Sequence, residues 1–412
     1  MNKRTFVISA LTVFVQYYDY HLFGFLAANI AEYFFSETDS VIQLLNTYLL
    51  MSLAMASKPI GAIILGRVGD VVGRSSSFIT ALIGTSLASL LFFITPSYQV
   101  IGSISILIVL LCRMMVCATV SSGSDGVRIF VFENIKSSRQ CLGISIITVF
   151  TLFGSFVASI SAGLFSSNYF PSLNWKYAFL IGSLFGFALI IFIKIIGFKD
   201  VVEVKNLPKF ERFKNISIYH LIKANKRLFI FSVLLAGAIG ATNQFIIIFY
   251  GTYHFKLLGI VDQQLMQRYV SISIAIYMVF SIISGFVADR YGRYKVAISA
   301  IFVMILINIV QCYYLNLLEF KPVFLLLTSA TVPFIIMPSA TILTDSIPTT
   351  IRYRLFSLSH AVGSIVISSP TAFVCTFLYH KTNLSWLPVC YFIGVILMIL
   401  FALRKLKTSR TR

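Results

Sequence analysis

The chain has 412 residues, of which 58% are hydrophobic and only 11% are charged, and its mean hydropathy is +0.90. Water-soluble domains carry about 25% charged residues, so this composition argues against a soluble enzyme and indicates a chain solvated mainly by lipid. The formal charge of +19 does not indicate a nucleic-acid partner. Most lysines and arginines lie in short segments between apolar runs, where membrane proteins concentrate positive charge.

Apolar segments long enough to cross a bilayer follow one another along the whole chain. A membrane helix needs about 20 residues, because each residue adds about 1.5 Å to its length. The first apolar stretch lacks the short apolar core and small-residue cleavage site of a signal peptide, so we expect it to be a retained helix. Twelve transmembrane helices are predicted, over residues 6–34, 43–65, 77–96, 100–123, 141–166, 175–196, 228–252, 267–288, 295–315, 322–345, 354–378 and 386–404.

The distribution of positive charge predicts how these helices are oriented. With a cytoplasmic N-terminus, the cytoplasmic segments hold 25 lysines and arginines, whereas the external loops hold five. Since cytoplasmic loops carry the excess of positive charge, both termini are predicted to be cytoplasmic. The longest hydrophilic stretch divides the chain into an N-terminal six-helix bundle at 1–196, a cytoplasmic linker at 197–227 and a C-terminal six-helix bundle at 228–412.

One sequence pattern occurs once in each half, between the second and third helices and between the eighth and ninth. Both copies fit G-x-x-x-D-x-x-G-R, and each matched position is offset by 219 residues. Two copies at equivalent loops indicate a duplicated unit, as in transporters built from repeats, with pseudo-symmetric halves. The matched residues are Gly66, Asp70, Gly73 and Arg74 in the first copy and Gly285, Asp289, Gly292 and Arg293 in the second.

The chemistry of this pattern suits a cytoplasmic turn that changes state during a transport cycle. Its glycines allow a tight turn and close helix approach, and its aspartate can cap a helix N-terminus or pair with an arginine across the interface of the half. We expect each loop to be a latch that stabilises an outward-facing state. The alternative is a role in membrane insertion and loop rigidity. A weaker repeat places an acid at a helix end and an arginine after it, at Glu133 and Arg139 and again at Asp345 and Arg352.

Ionisable residues inside the predicted membrane helices are candidate functional residues, because a charge at membrane depth is costly. Asp19 in the first helix is the strongest of them. A carboxylate that can take up a proton there suits proton coupling, and the alternative is an acid permanently paired with a lysine or arginine. The neighbouring Tyr18 and Tyr20 could bind a quaternary ammonium group by cation–π attraction, or could only pack helices.

Three further charged positions lie within or near the predicted helices. Lys58 and Arg113 could each neutralise a carboxylate or bind an anionic group of a substrate, and Lys58 could instead extend toward the cytoplasmic face. Asp125 could pair locally with Arg128 at the cytoplasmic end of the fourth helix. No G-x-x-x-x-G-K-[ST] loop and no C-x-x-C pair is present, so we expect no ATP-driven enzyme, no metal site and no cofactor.

The chain resembles the major facilitator superfamily over essentially its whole length. Within it, the chain resembles the metabolite:H⁺ symporters, which include citrate and 2-oxoglutarate transporters, and above all the bacterial proline/betaine transporters. The residues that carry the resemblance, besides both loop patterns, are Tyr18-Asp19-Tyr20, Phe23-Gly24-Phe25, Lys58-Pro59-Ile60-Gly61, Arg113, Glu133-Asn134, Trp175-Lys176-Tyr177 and Ile351-Arg352-Tyr353. The fourth helix departs from the family's Gly-Gly-Glu, because the glutamate position is Gly123 and Asp125 follows as a candidate substitute.

The resemblance implies a multi-pass protein of the bacterial inner membrane that takes up a small polar metabolite, such as proline, betaine or an organic acid, together with a proton. Alternating access would expose the substrate to each side in turn, driven by the proton gradient and without an obligatory protein partner. Asp19 would carry or gate the proton, and Arg113 would modulate it. The altered fourth helix also allows a non-transporting sensor or receptor on the same scaffold, and an exporter is a further alternative.

Overall fold

The computed structural model describes residues 3–37, 39–71, 74–166, 174–196, 222–349 and 351–410. Within these ranges, side chains are left undescribed at residues 3–6, 9, 62, 66–78, 121–124, 130, 134, 196, 353 and 408–410. The described residues form helices and short connections, without a strand.

Twelve helical rods follow one another through the described residues, one for each predicted span, and we label them α1 to α12. In the N-terminal half they are α1 (Lys3–Phe25 and Ala27–Phe34), α2 (Ser40–Ala54, Met55–Ser57 and Lys58–Val71), α3 (Arg74–Ile94), α4 (Ser103–Asn134), α5 (Gln140–Phe165) and α6 (Tyr177–Ile196). In the C-terminal half they are α7 (Lys226–Asn243, Gln244–Phe249, Tyr250–Thr252 and Tyr253–Leu257), α8 (Gln263–Tyr291), α9 (Arg293–Asn316), α10 (Pro322–Ser346), α11 (Arg352–Gly363, Ser364–Ser368 and Thr371–Thr382) and α12 (Leu387–Arg410).

Ten of the described rods, all except α1 and α3, are long and apolar enough to cross a membrane. In α3 the described apolar part is the shorter helix Ile79–Ile94. The α1 rod lies in the core, where Leu22 and Phe23 are completely buried. The prediction of an all-helical polytopic protein of twelve helices in two six-helix bundles is confirmed. The orientation of the termini stays a prediction, and we use "predicted cytoplasmic end" for the end that carries the α8–α9 turn.

Helix bounds differ from the sequence prediction in two places that matter for the site. The predicted end of the fourth helix at 123 is wrong, because α4 continues to Asn134. Asp125 therefore lies inside the helix, 3% exposed, rather than at its end. Helix α7 continues through π-helical turns to Leu257, so that Lys256 lies on the helix and not in a loop. The apolar length of a segment does not determine where its helix ends. A helix can continue past the apolar run when residues elsewhere in the fold neutralise its charged side chains.

The two halves pack against each other along several helix pairs. Helix α5 runs along α8, α2 and α4 contact α11, and α1 contacts α7. The largest apolar cluster includes residues from both halves, so the boundary between them is part of the core. The predicted linker at 197–227 lies mostly outside the described residues, which end at 196 and resume at 222, and its boundaries stay a prediction.

Candidate functional site

The Asp19 side chain is buried inside the N-terminal half, 1% exposed. The Ser89 hydroxyl faces it from α3 and the Arg113 guanidinium adds positive charge from α4. On the α6 side, a Cβ added to Gly182 would come within 2.2 Å of Oδ1, so the carboxylate lies directly against that helix backbone. Among the described residues, neither carboxylate oxygen accepts a hydrogen bond of ordinary length and angle. Burying a carboxylate so weakly compensated is costly unless it takes up a proton.

The Arg113 side chain is directed to the main chain of α1. Its Nη1 and Nη2 donate to the main-chain oxygens of Asp19 and Tyr20 at 3.5 and 3.3 Å. Its guanidinium carbon also lies 4.3 Å from the centre of the Phe23 ring. Arg113 therefore supports Asp19 electrostatically without closing a side-chain ion pair with it, so the permanent pair considered from the sequence is not the arrangement seen.

The tyrosines beside Asp19 differ in their contacts. Tyr18 donates its hydroxyl to the Ala178 main-chain oxygen on α6 at 2.9 Å, which ties α1 to α6 and is a packing contact. The Tyr20 ring lies near two cations, 5.5 Å from the Arg113 guanidinium carbon and 5.8 Å from Lys58 Nζ. The ring thus connects the buried charges of α2 and α4.

Lys58 points into the boundary between the halves. It is only 7% exposed, and its Nζ donates to Ser364 Oγ on α11 at 3.3 Å. One alternative from the sequence was that the Lys58 side chain extends toward the cytoplasmic face. The structure corrects this alternative, because the side chain points to the boundary between the halves. The Lys58 ammonium is therefore buried beside the opposite half.

Asp125 has a partner that the sequence did not indicate. Its Oδ2 lies 2.8 Å from His360 Nδ1 on α11. The predicted local pair of Asp125 with Arg128 is therefore corrected: Arg128 contributes positive charge at the carboxylate, but the direct contact crosses between the halves.

Other polar groups inside the helices were also missed from the sequence. In the N-terminal half, Ser155 Oγ lies 2.6 Å from His21 Nδ1. In the C-terminal half, Tyr277 donates its hydroxyl to Asn243 Oδ1 at 2.8 Å, and Gln244 Oε1 is buried without a hydrogen bond from the described residues. Uncharged amides and imidazoles in apolar spans were the available signal for these groups.

The second copy of the loop pattern joins the halves at the predicted cytoplasmic end. Asp289 accepts hydrogen bonds from the main-chain nitrogens of Cys141 and Leu142, at 3.2 and 2.9 Å. It thereby caps the N-terminus of α5, where a carboxylate satisfies free N–H groups and complements the helix dipole. Gly292 has a φ of +99°, which favours glycine at this turn.

Arg293 extends the same connection. Its Nη2 donates to Asp289 Oδ1 at 3.2 Å and to the Ser137 main-chain oxygen of the other half at 2.8 Å, and its Nη1 lies 3.7 Å from Asp345 Oδ2. An ion pair also crosses the boundary close by, with Arg352 Nη1 2.9 Å from Glu133 Oε1.

The remaining predicted residues are Arg139 and the first copy of the loop pattern. Arg139 is exposed and makes no ion pair among the described residues. In the first loop copy, Gly73 is outside the described residues, and the structure does not describe the surroundings of Gly66, Asp70 and Arg74. The predicted role of that copy therefore stays a prediction.

A family model for the Major Facilitator Superfamily matches residues 9–369. The chain belongs to the major facilitator superfamily. The resemblance inferred from the loop patterns is thereby confirmed, and the protein is a membrane transporter and not an enzyme.

Individual relatives agree with this membership. A citrate-proton symporter of Klebsiella pneumoniae is 25% identical over 382 residues, covering 90% of this chain and 84% of the relative. A Staphylococcus aureus (strain COL) protein named "Putative proline/betaine transporter" is 23% identical over 403 residues, covering 95% and 85%. The crystal structure of a D-xylose-proton symporter superposes with a TM-score of 0.71 at 13% identity, covering 95% of this chain and 96% of that one, which supports the fold alone.

The halves of this transporter are also joined at the predicted external end. Lys256 Nζ on α7 lies 2.5 Å from Glu32 Oε1 on α1, and Ser159 Oγ on α5 lies 2.8 Å from Ser271 Oγ on α8. Among the described residues, contacts therefore cross between the halves above and below the buried charges. A transporter that exposes its substrate to one side at a time must break one of these two sets.

Gly285 tests how closely α5 and α8 must approach at the predicted cytoplasmic end. A Cβ there would lie 2.4 Å from Ser145 Oγ and 2.8 Å from Leu142 Cα. Gly285→Ala is therefore expected to push the two helices apart. An overpacking cost of roughly 1 kcal/mol should slow uptake by at least about fivefold. Gly394→Ala is the matched control, since a Cβ there has no atom within 4 Å. Initial uptake rates in proteoliposomes measure the effect, and equal rates for the two variants would contradict it.

Proposed function

We propose that this transporter takes up a small polar metabolite together with a proton, by alternating access of a site between its two halves. The observation that carries the proposal is the Asp19 carboxylate, buried with little hydrogen bonding beside the Arg113 guanidinium. Such a group is most stable when it is protonated, or when a cation approaches it. The name of a citrate-proton symporter among its relatives supports proton coupling.

The substrate class that best fits the site carries a carboxylate. Lys58 and Arg113 are both buried, and Lys58 reaches the boundary between the halves. Proline, glycine betaine, 2-oxoglutarate and citrate share a carboxylate and otherwise differ in charge and size, and the names of two relatives include members of this set.

In the proposed cycle, the Asp289–α5 cap and the Glu133–Arg352 pair hold the cytoplasmic end closed while the site faces outward. Substrate and a proton then enter, the proton binding at Asp19, and the halves rock so that the external contacts form and the cytoplasmic ones break. No cofactor takes part, because the proton gradient drives accumulation. The proposed location is the bacterial inner membrane, with both termini in the cytoplasm as the excess of basic residues on that side favours.

The test is uptake of radiolabelled proline, glycine betaine, 2-oxoglutarate and citrate by proteoliposomes, with and without an imposed inward proton gradient. We expect one of these compounds to accumulate and the accumulation to disappear when a protonophore is added. Proton-driven efflux from loaded vesicles would instead establish an exporter. Absence of flux of all four compounds, with protein that is shown to be folded, would overturn the proposed uptake of a carboxylate of this set.

A further inference from the structure

Besides Asp19, a pair of titratable residues lies at the boundary between the two halves. His360 of α11 and Asp125 of α4 approach to 2.8 Å. Asp125 follows Arg113 on the same helix by 12 residues, or about 18 Å along the axis. The pair is therefore nearer the predicted cytoplasmic end than the Asp19 site.

The charges around the pair belong unequally to the two halves. Asp125 receives positive charge from Lys58 on α2 and from Arg128 one turn further along α4, besides His360. Arg128 in turn acts on the Tyr277 hydroxyl of α8. Lys58 and Arg128 stay with Asp125 when the halves separate, because all three are in the N-terminal half, whereas His360 leaves with the C-terminal half.

This division links a proton on His360 to closure of the boundary. In the closed arrangement, a protonated His360 donates a charge-assisted hydrogen bond to the carboxylate in a site of low dielectric. In the separated arrangement, the imidazolium loses that partner, and Lys58 and Arg128 repel it as the halves approach again. A proton is therefore held more strongly in the closed arrangement than in the open one, and by linkage lower pH favours closure.

A neighbouring contact strengthens this assignment. Ser364, one turn after His360 on α11, accepts the hydrogen bond from Lys58, so two polar contacts cross the boundary on adjacent turns. Ser364 also begins the π-helical turn Ser364–Ser368. Such widened turns within α-helices are frequent at functional sites, and this one begins at the residue that accepts the hydrogen bond from Lys58.

We propose that His360 and Asp125 form a second proton-binding site, which holds the predicted cytoplasmic side of the boundary closed while His360 is protonated and releases the proton when that side opens. The inference deepens the proposed symport, since it provides a point of proton release on the cytoplasmic side. Its effect on closure can nevertheless be measured without substrate or a gradient.

The reporter for the test is the native Cys141 at the N-terminus of α5, which is fully buried and faces Thr341 of α10 in the other half. The purified full-length protein in lipid vesicles is labelled with N-ethylmaleimide between pH 5.5 and 8, and modification of Cys141 is measured by peptide mass spectrometry. The rate of each variant is divided by that of the unmodified protein at the same pH, which cancels the intrinsic pH dependence of the thiol.

For His360→Gln we expect the rate ratio to rise as the pH falls from 8 to 5.5, by about tenfold, the equivalent of one lost charge-assisted hydrogen bond. Asp125→Asn should have the same effect on the pH dependence, because it removes the carboxylate that pairs with His360. His380→Gln is the matched control, because it changes a histidine of the same helix at its other end. It should give a ratio near one throughout.

A ratio for His360→Gln and Asp125→Asn that stays constant with pH would overturn the inference. This outcome is separate from the fate of the proposed symport. Proton-driven uptake with a constant labelling ratio would retain the symporter and remove the second proton site. A pH-dependent ratio without proton-driven uptake of any of the four compounds would retain the second proton site and remove the proposed symport.

Discussion

Asp19→Asn is expected to abolish proton-driven accumulation while the protein remains folded. The side chain keeps its size, but the amide cannot take up and release a proton at this buried position. With an imposed gradient of one pH unit, the membrane potential clamped at zero and one proton carried per substrate, the unmodified protein can concentrate substrate about tenfold. The variant should reach the same concentration inside and outside. The measurement is the steady-state ratio of radiolabelled substrate in proteoliposomes.

The matched control is Asp39→Asn, which removes an acidic charge at a place where proton transfer is not expected. Asp39 caps α2 by accepting a hydrogen bond from the Val41 main-chain nitrogen at 2.7 Å, and asparagine is an equally good N-cap. This variant should accumulate substrate as the unmodified protein does. Exchange of labelled for unlabelled substrate at equal pH should persist in Asp19→Asn, because exchange requires alternating access but no net proton movement. Retained accumulation by Asp19→Asn would show that another group carries the proton.

The features that the sequence could predict are those that the membrane itself imposes. In the hydrocarbon core of a membrane, a main-chain N–H or C=O group without a hydrogen bond costs too much free energy, so a long apolar run must be a helix or part of a closed barrel. The length of the apolar runs alone therefore located the twelve helices. The duplicated loop was equally accessible, because a carboxylate followed by glycine and arginine has few structural uses. Asp289 caps a helix N-terminus, one of the two contacts considered for it, and its arginine partner is Arg293 of the same loop pattern, four residues further along the chain.

The features that could not be predicted depend on partners that only the packed helices bring together. His360 is 235 residues from Asp125, and no local pattern connects them, whereas Arg128 was an obvious local candidate. The same packing places Tyr18 against the Ala178 carbonyl and turns Lys58 toward Ser364. A charge in an apolar span can thus be recognised from sequence as a site, but its partner is determined by which helix faces it.

Asp289→Ala is expected to favour opening of the predicted cytoplasmic end. The carboxylate is almost fully buried, accepts two main-chain N–H groups of the opposite half and pairs with Arg293. Its removal leaves these donors without a partner, at a cost of about 1–3 kcal/mol, and the closed arrangement should lose population by about tenfold. The N-ethylmaleimide labelling rate of Cys141 should rise by a similar factor. Asp289→Asn should have a smaller effect, because its amide oxygen can still cap α5.

Two comparisons separate opening from loss of a helix cap or general unfolding. Asp262→Ala removes the cap of α8, where the carboxylate accepts hydrogen bonds from the main-chain nitrogens of Gln264 and Leu265; this contact lies within one half, so Cys141 labelling should not change. The second is the thiol introduced by Ser271→Cys, opposite Ser159 at the predicted external end. If the halves rock as units, Asp289→Ala makes Cys141 more reactive and this thiol no more reactive than before, because contacts at one end form as those at the other break. If both thiols react faster, Asp289 stabilises the fold as a whole, and its loop is not a latch.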